Sequence, residues 1–310
     1  MQRLRFLRGL LGCALLPWLA ATGAPEKARL RVVATTTLVA DLVREVGGER
    51  VEVAALMGAG VDPHLYKASA GDVARLGSAR AVFYSGLFLE GKMEEVFKKL
   101  KARGVSVFAA AEAVPESERL RPANFEGHPD PHVWGDPRLW KLAAKSVADG
   151  LATLDAEGAA EYRSRAESYG ARMDQIFAWG VKRAAEIPPK QRVLITSHDA
   201  FNYFGRAFGF EVVGVQGIST VTEAGLADMT KVVDLVKSRQ LKAVFVESSV
   251  PPATIRRISQ DTGAKVGGEL FSDALGTPGE MHEAGGERYD VGTYLGMLRH
   301  NLNTVVEALR

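Results

Sequence analysis

Apolar residues recur in two alternating rhythms along most of the chain. Short apolar, β-branched runs come first: RLRVVATTT at 29–37, VEVAALM at 51–57, RAVFYSG at 80–86 and VSVFAA at 105–110. The helical pattern LVADLVREVGG (38–48) lies between the first two. The alternation restarts after Pro188-Pro189 with RVLITS, a helix at AFNYFGRAFG, EVVGVQG and a helix over Ala224 to Ser238. It continues with KAVFVES, a helix from Pro252, AKVGGEL, and a final helix from about Tyr289 to Leu309. Strand alternating with helix predicts an α/β fold in two lobes, each a mainly parallel sheet flanked by helices.

Between the two series, Tyr162, Ala166, Tyr169, Met173, Ile176, Phe177, Gly180, Ala184 and Ile187 recur at three- and four-residue spacing, with Arg, Glu and Lys between them. This is the pattern of one long amphipathic helix, roughly 39 Å at about 1.5 Å per residue. Its apolar stripe reads as packing, and it predicts a rigid helical joint in place of a flexible tether. The expected organisation is a leader at 1–23, a first lobe at 24–155, a linking helix at 156–188 and a second lobe at 189–310.

The leader changes the charge picture. The formal charge of +2 includes Arg3, Arg5 and Arg8, leaving about −1 for the rest, and no basic patch points to nucleic acid. A basic start, an apolar stretch from Gly9 to Ala21 and the small-residue exit ATGA fit a secretory signal too short for a stable span. Cleavage is expected near Gly23 or Ala24. Leu10-Leu11-Gly12-Cys13 faintly resembles a lipoprotein processing site, but only about four apolar residues separate Arg8 from Cys13, which favours a free periplasmic protein over an anchored one. Cys13 is the only cysteine, so a chain cleaved beyond it has neither a disulfide nor a thiolate ligand. At 310 residues and 46% hydrophobic, the chain is long enough for two lobes with separate cores.

Three of the six histidines stand where the chain turns between elements. His64 lies in Val-Asp-Pro-His-Leu-Tyr, His132 in Pro-Asp-Pro-His-Val-Trp and His198 in Ile-Thr-Ser-His-Asp-Ala. Proline locks φ before the first two, and the aspartate side chain can accept a bond from the backbone ahead, so each imidazole is aimed. His198 should emerge at the carboxyl end of the strand RVLIT, where ligands of open α/β sheets collect. Asp273, in the glycine-flanked loop after AKVGGEL, has the same setting. Two candidates from each lobe would make an N₃O site in the crevice, suited to zinc, and to manganese or iron if the carboxylate binds through both oxygens.

Each residue has a plainer alternative. A histidine after Asp-Pro serves most simply as a turn residue, and Asp273 as a cap. Asp199 stands where an N-cap for the next helix would stand. His128 reads as a solvent-exposed loop residue that could assist metal capture, His282 as a surface residue and His300 as exposed, off the stripe of the last helix.

The segments ATTTLVADLVREVGG, DPHLYKAS, DPHVWGDP, SHDAFNYFGRAFGFEVVGVQGIST, VFVESSV and GGELFSDALG resemble the zinc/manganese-type solute-binding proteins of ABC transporters, over nearly all of the chain after about Leu30. The resemblance implies two lobes joined by a long helix, with a divalent metal cargo (Zn²⁺ or Mn²⁺, with Fe²⁺ as a further option) held between them for a membrane permease. By motif, it places the ligands at His64, His132, His198 and Asp273. Relatives with glutamate at the third position are usually manganese-associated, whereas His198 stands here. Zinc-dedicated relatives often carry a long histidine-rich loop, whereas Val114 to Asp130 is short and holds only His128. The expected partner is a cognate permease, the expected state a monomer.

Two rivals remain at this stage. A metallohydrolase could use the same three histidines and carboxylate, although neither a His-Glu-x-x-His helix nor a His-x-His pair is present. An adhesin could use them for a structural metal.

Overall fold

The computed structural model describes residues 28–123, 125 and 127–310; the predicted leader and Cys13 lie outside them. The first half is built from strands β1 (Leu30–Ala34), β2 (Val51–Ala55), β3 (Ala81–Tyr84) and β4 (Ser106–Ala109), with helices α1 (Thr37–Gly47), α2 (Ala70–Ser78) and α3 (Glu94–Ala102) in the crossovers. All pairings are parallel, in the order β2-β1-β3-β4. Helix α4 (Pro137–Leu154), which the hydrophobic pattern did not single out, starts on an Asp136 N-cap with proline at its first position.

Helix α5 (Ala159–Ala184) is the long helix the spacing predicts, and it buries Tyr162, Ala166, Tyr169, Met173, Ile176, Gly180 and Ala184. It ends three residues short of Ile187 because Pro188 disfavours helical geometry just before it. It packs on α1 and α4 of the first half.

The second half contains β5 (Val193–His198), α6 (Asn202–Phe208), β6 (Glu211–Gln216), α7 (Leu226–Ser238), β7 (Ala243–Glu247), α8 (Ala253–Thr262) and β8 (Lys265–Leu270). The expected single sheet is two parallel pairs, β5-β6 and β7-β8, with β5 and β7 side by side. A bulge interrupts the β7-β8 register between Val244 and Val246.

The final helix starts later than the pattern suggests. Met281–Ala284 and Glu287–Asp290 form an antiparallel hairpin, β9-β10, and α9 spans only Tyr294–Leu309 behind a Thr293 cap. Gly285 and Gly286 close the hairpin at φ 62° and 75°, the paired left-handed turn that side chains with a Cβ adopt poorly. Helix α5 reaches α6 and α9 at its far end, so it runs along both halves.

The halves do not have wholly separate cores. One apolar cluster surrounds β3, α3 and Met57, and another fills the space between β5, β7, α7 and α8. The largest cluster is common to both halves: Leu38, Leu42, Trp140, Tyr162, Tyr169 and Met173 continue into Phe204, Phe208, Tyr294, Leu298 and Leu302. No helix among the described residues is long and apolar enough to cross a membrane.

Two glycines on α5 differ in what a methyl group would meet. At Gly180 a Cβ would lie 2.5 Å from Phe208 Cε1 and 2.7 Å from Leu302 Cδ1, whereas at Gly170 its nearest neighbour is Lys141 Cβ at 3.6 Å. Gly170→Ala should stabilise the protein by up to about 1 kcal/mol through helix propensity. Gly180→Ala should destabilise it, because overpacking costs about 1–3 kcal/mol and outweighs the same gain. Urea denaturation of the two variants should show midpoints moving in opposite directions.

Candidate metal centre

Two Asp-Pro-His turns aim the first pair of imidazoles. His64 follows β2, and its backbone N–H donates to Asp62 Oδ1 at 2.8 Å; His132 N–H donates to Asp130 Oδ1 at 3.0 Å. These are the forward side-chain bonds expected after Asp-Pro. His198 is the last residue of β5, and Asp273 lies in the loop beyond β8. Both sit at carboxyl ends of strands, on the edge of the crevice that the first half closes.

The four side chains converge. Each offers one donor atom, and these atoms all lie within 4.8 Å of one another. His64 Nε2 is 3.3 Å from His132 Nε2, while Asp273 places Oδ1 3.3 Å from His132 Nε2 and Oδ2 3.3 Å from His198 Nε2. Two donors each about 2.1 Å from one ion at a tetrahedral angle stand about 3.4 Å apart, so these separations suit a single shared divalent cation. Both oxygens of Asp273 face the same space, which permits one- or two-oxygen binding.

The group is sealed. His64 is 3% exposed and the other three residues 0%. A cavity of about 240 Å³, lined by His64, Phe88, Lys92 and Val221 among others, reaches it from the His64 side. His198 Nε2 and Asp273 Oδ1 make no hydrogen bond although buried. Unpaired buried polar atoms are costly, and a cation between them would satisfy both.

Carboxylates orient two of the rings from behind. His132 Nδ1 is 2.7 Å from Asp130 Oδ1, and His198 Nδ1 is 2.6 Å from Glu247 Oε2, with the second Glu247 oxygen accepting from His198 N–H. A proton held on Nδ1 leaves the Nε2 lone pair facing the group. Ser249 Oγ donates to Asp273 Oδ2 at 3.1 Å.

The electrostatics separate the histidines. Burial pushes His64 down to about 3, so it is neutral at physiological pH. Burial also opposes charge on His132, but Asp130 and Asp273 outweigh it and raise His132 to about 9. For His198, Glu247 and Asp273 overcome burial and hold the ring well above its ordinary value. Burial disfavours the Asp273 anion, yet His198 and His132 hold that carboxyl well below its usual range.

Bonds between the halves fix the geometry. Trp134 Nε1 donates to Ser272 O at 2.8 Å, beside Asp273, and Tyr294 OH donates to Trp134 O at 2.7 Å. Thr220 Oγ1 donates to the free oxygen of Asp62 at 2.5 Å, and Tyr203 OH donates to Asp130 O.

Several residues stand apart from their sequence readings. Asp199 does not cap α6: its Oδ1 accepts from Gly214 N–H, because the helix starts later, at Asn202. His128 is outside the group, half-buried and stacked on Phe88 at 4.1 Å. His300 is half-buried rather than exposed, because the β9-β10 hairpin covers that side of α9 and His282 pairs with it. Asp130 and Glu247 were read as turn and strand residues. The signal for Glu247 was its position, an acid closing the apolar strand Ala-Val-Phe-Val just as His198 closes its own.

Known proteins resemble this chain over nearly its full length. The manganese-binding lipoprotein MntA of Bacillus subtilis (strain 168) is 42% identical over 98% of this chain and 99% of its own. The zinc-binding protein TroA of Treponema pallidum (strain Nichols) is 42% identical over 94% and 90%. The solved structure of the periplasmic zinc-binding protein TroA from Treponema pallidum superposes with a TM-score of 0.84 at 41% identity, covering 91% of this chain and 99% of that one. The profile of the ZnuA family, the periplasmic component A of zinc-uptake complexes, matches residues 32–308, and this chain belongs to that family.

Proposed function

We propose that the protein is the extracytoplasmic receptor of an ABC importer for a divalent transition metal, taking zinc or manganese as cargo between its two halves and presenting it to a cognate permease. The observation that carries this reading is the convergence of His64, His132, His198 and Asp273 from both halves into one buried group with donor atoms within 4.8 Å. The relatives support it: TroA is zinc-binding, MntA manganese-binding, and both align with nearly all of the chain.

A binding role fits the site better than hydrolysis. The two acids nearest the histidines, Asp130 and Glu247, are engaged in orienting rings, so neither faces the group as a base. Catalysis would need an open coordination position and a base facing it. Residues 24–155 and 189–310 serve as the two binding lobes, with 156–188 as the joint, and the receptor acts as a monomer. Export follows from the leader. The relatives that are lipoproteins favour attachment through Cys13 over the free form that the leader's spacing suggests, which moves the end of the leader from residue 23 to residue 12. Cys13→Ser would then abolish incorporation of labelled fatty acid and release the protein from membranes; unchanged fractionation would refute attachment.

Elemental analysis of protein from its native compartment, followed by zinc and manganese titration, tests the assignment. His198→Ala and Asp273→Ala should each lose stoichiometric metal, with affinity falling on the order of 100-fold or more, and Glu247→Gln should weaken binding by about 10–100-fold. Binding untouched by either ligand substitution would overturn the assignment.

Acidity should oppose binding. With His132 raised to about 9 and His198 held well above its ordinary value, the metal-free site holds protons near neutral pH, and a metal must displace them. Affinity should rise with pH up to about 9, by about one decade per unit for each proton released, while His64 contributes no proton. Calorimetry in buffers of different ionisation heat should detect that release on metal binding at neutral pH.

A further inference from the structure

A second pair of histidines lies between the β9-β10 hairpin, β8 and α9, and shares no residue with the interlobe group. His282 on β9 and His300 on α9 face each other through their Nδ1 atoms, 3.3 Å apart. The other nitrogen of each ring is committed. His282 Nε2 lies 2.9 Å from Glu280 Oε1, and His300 Nε2 lies 2.8 Å from the Glu269 carbonyl oxygen.

Those partners determine where the protons are. A carbonyl oxygen only accepts, and an ionised carboxylate such as that of Glu280 also only accepts. Each Nε2 therefore carries its hydrogen, and in a neutral imidazole the opposite nitrogen is then a lone pair. Two lone pairs then lie 3.3 Å apart, which is repulsive unless the two nitrogens share a positive charge.

The separation also suits a bridging metal. Two nitrogens each about 2.0–2.1 Å from one zinc at a tetrahedral angle stand about 3.3–3.4 Å apart. His64 and His132 show the same 3.3 Å separation between facing nitrogens. Room for further ligands is present: a cavity of about 350 Å³ lined by Glu269, Glu283, Tyr289, Thr304 and Glu307 opens beside the pair, and the His282 side chain is 33% exposed.

We propose that His282 and His300 form a second divalent-metal site, with two imidazole nitrogens supplied by the protein and water completing the coordination. Two protein ligands make it weaker than the four-residue interlobe group. Imidazole-only ligation selects zinc- or copper-class ions over manganese, which prefers oxygen. Glu280 and the Glu269 carbonyl act as orienting partners, as Asp130 and Glu247 do in the crevice.

Zinc chloride and manganese chloride titrations of the full chain, wild type and the His282→Ala and His300→Ala variants, test this by calorimetry and by imidazole ¹⁵N chemical shifts. Zinc should bind wild type with two equivalents and either variant with one, while manganese binds all three with one. The Nδ1 signals of His282 and His300 should move on the second zinc equivalent, a reading that holds whether or not the crevice binds metal, and retention of the first equivalent shows that a variant is folded. The proposal is overturned if both variants take up as much zinc as wild type, or if those signals respond to pH but not to zinc.

Discussion

Three imidazoles and a carboxylate are drawn together in a space that excludes water, and most of the surrounding architecture follows from that requirement. Polar groups taken out of water without partners cost several kcal/mol, and here some donor atoms remain unpaired while buried. The arrangement persists because His132, His198 and Asp273 are held from behind and His64 is held by its turn. The Asp-Pro-His turns fix two backbones, Asp130 and Glu247 fix two rings, and Ser249 holds Asp273. The resulting group is fixed in an arrangement that could hold a cation.

Convergence from two halves also requires that the halves be located relative to each other. Helix α5 supplies the coarse restraint by packing on α1 and α4 at one end and on α6 and α9 at the other. Bonds near the ligands supply the fine one: Trp134 to Ser272 places the Asp273 loop, and Thr220 to Asp62 places the His64 turn. A stiff helical joint restricts relative motion far more than a flexible tether would.

Much of this was legible in the sequence because the informative features are local. Asp-Pro before histidine sets a turn within four residues, and the stripe from Tyr162 to Ala184 declares a helix by spacing alone. Strand ends at His198 and near Asp273 follow from short apolar runs. What was not legible depends on contacts between distant residues or on competition between local signals. Asp130 and His132 are legible as a turn, but the chain marks Glu247 only as an acid at a strand end, not as the residue behind His198, 49 residues away. The polar stretch around Gly285-Gly286 hid a hairpin, because its strands bury little and lack the strong alternation of a core strand. His300 read as exposed because helix periodicity reports only the side facing the main core, not a face that a neighbouring hairpin covers.

The shared apolar cluster has a consequence for how the molecule loses its structure. Trp140 and Tyr169 of the first half and Phe204 and Tyr294 of the second belong to one continuous packed body, so neither half can come apart without exposing surface that the other depends on. Free energy gained anywhere in the crevice is then distributed over the entire chain. A ligand that binds only the folded form stabilises it in proportion to the logarithm of its concentration over Kd, and here a single ion would raise the melting of both halves together, as one cooperative unit.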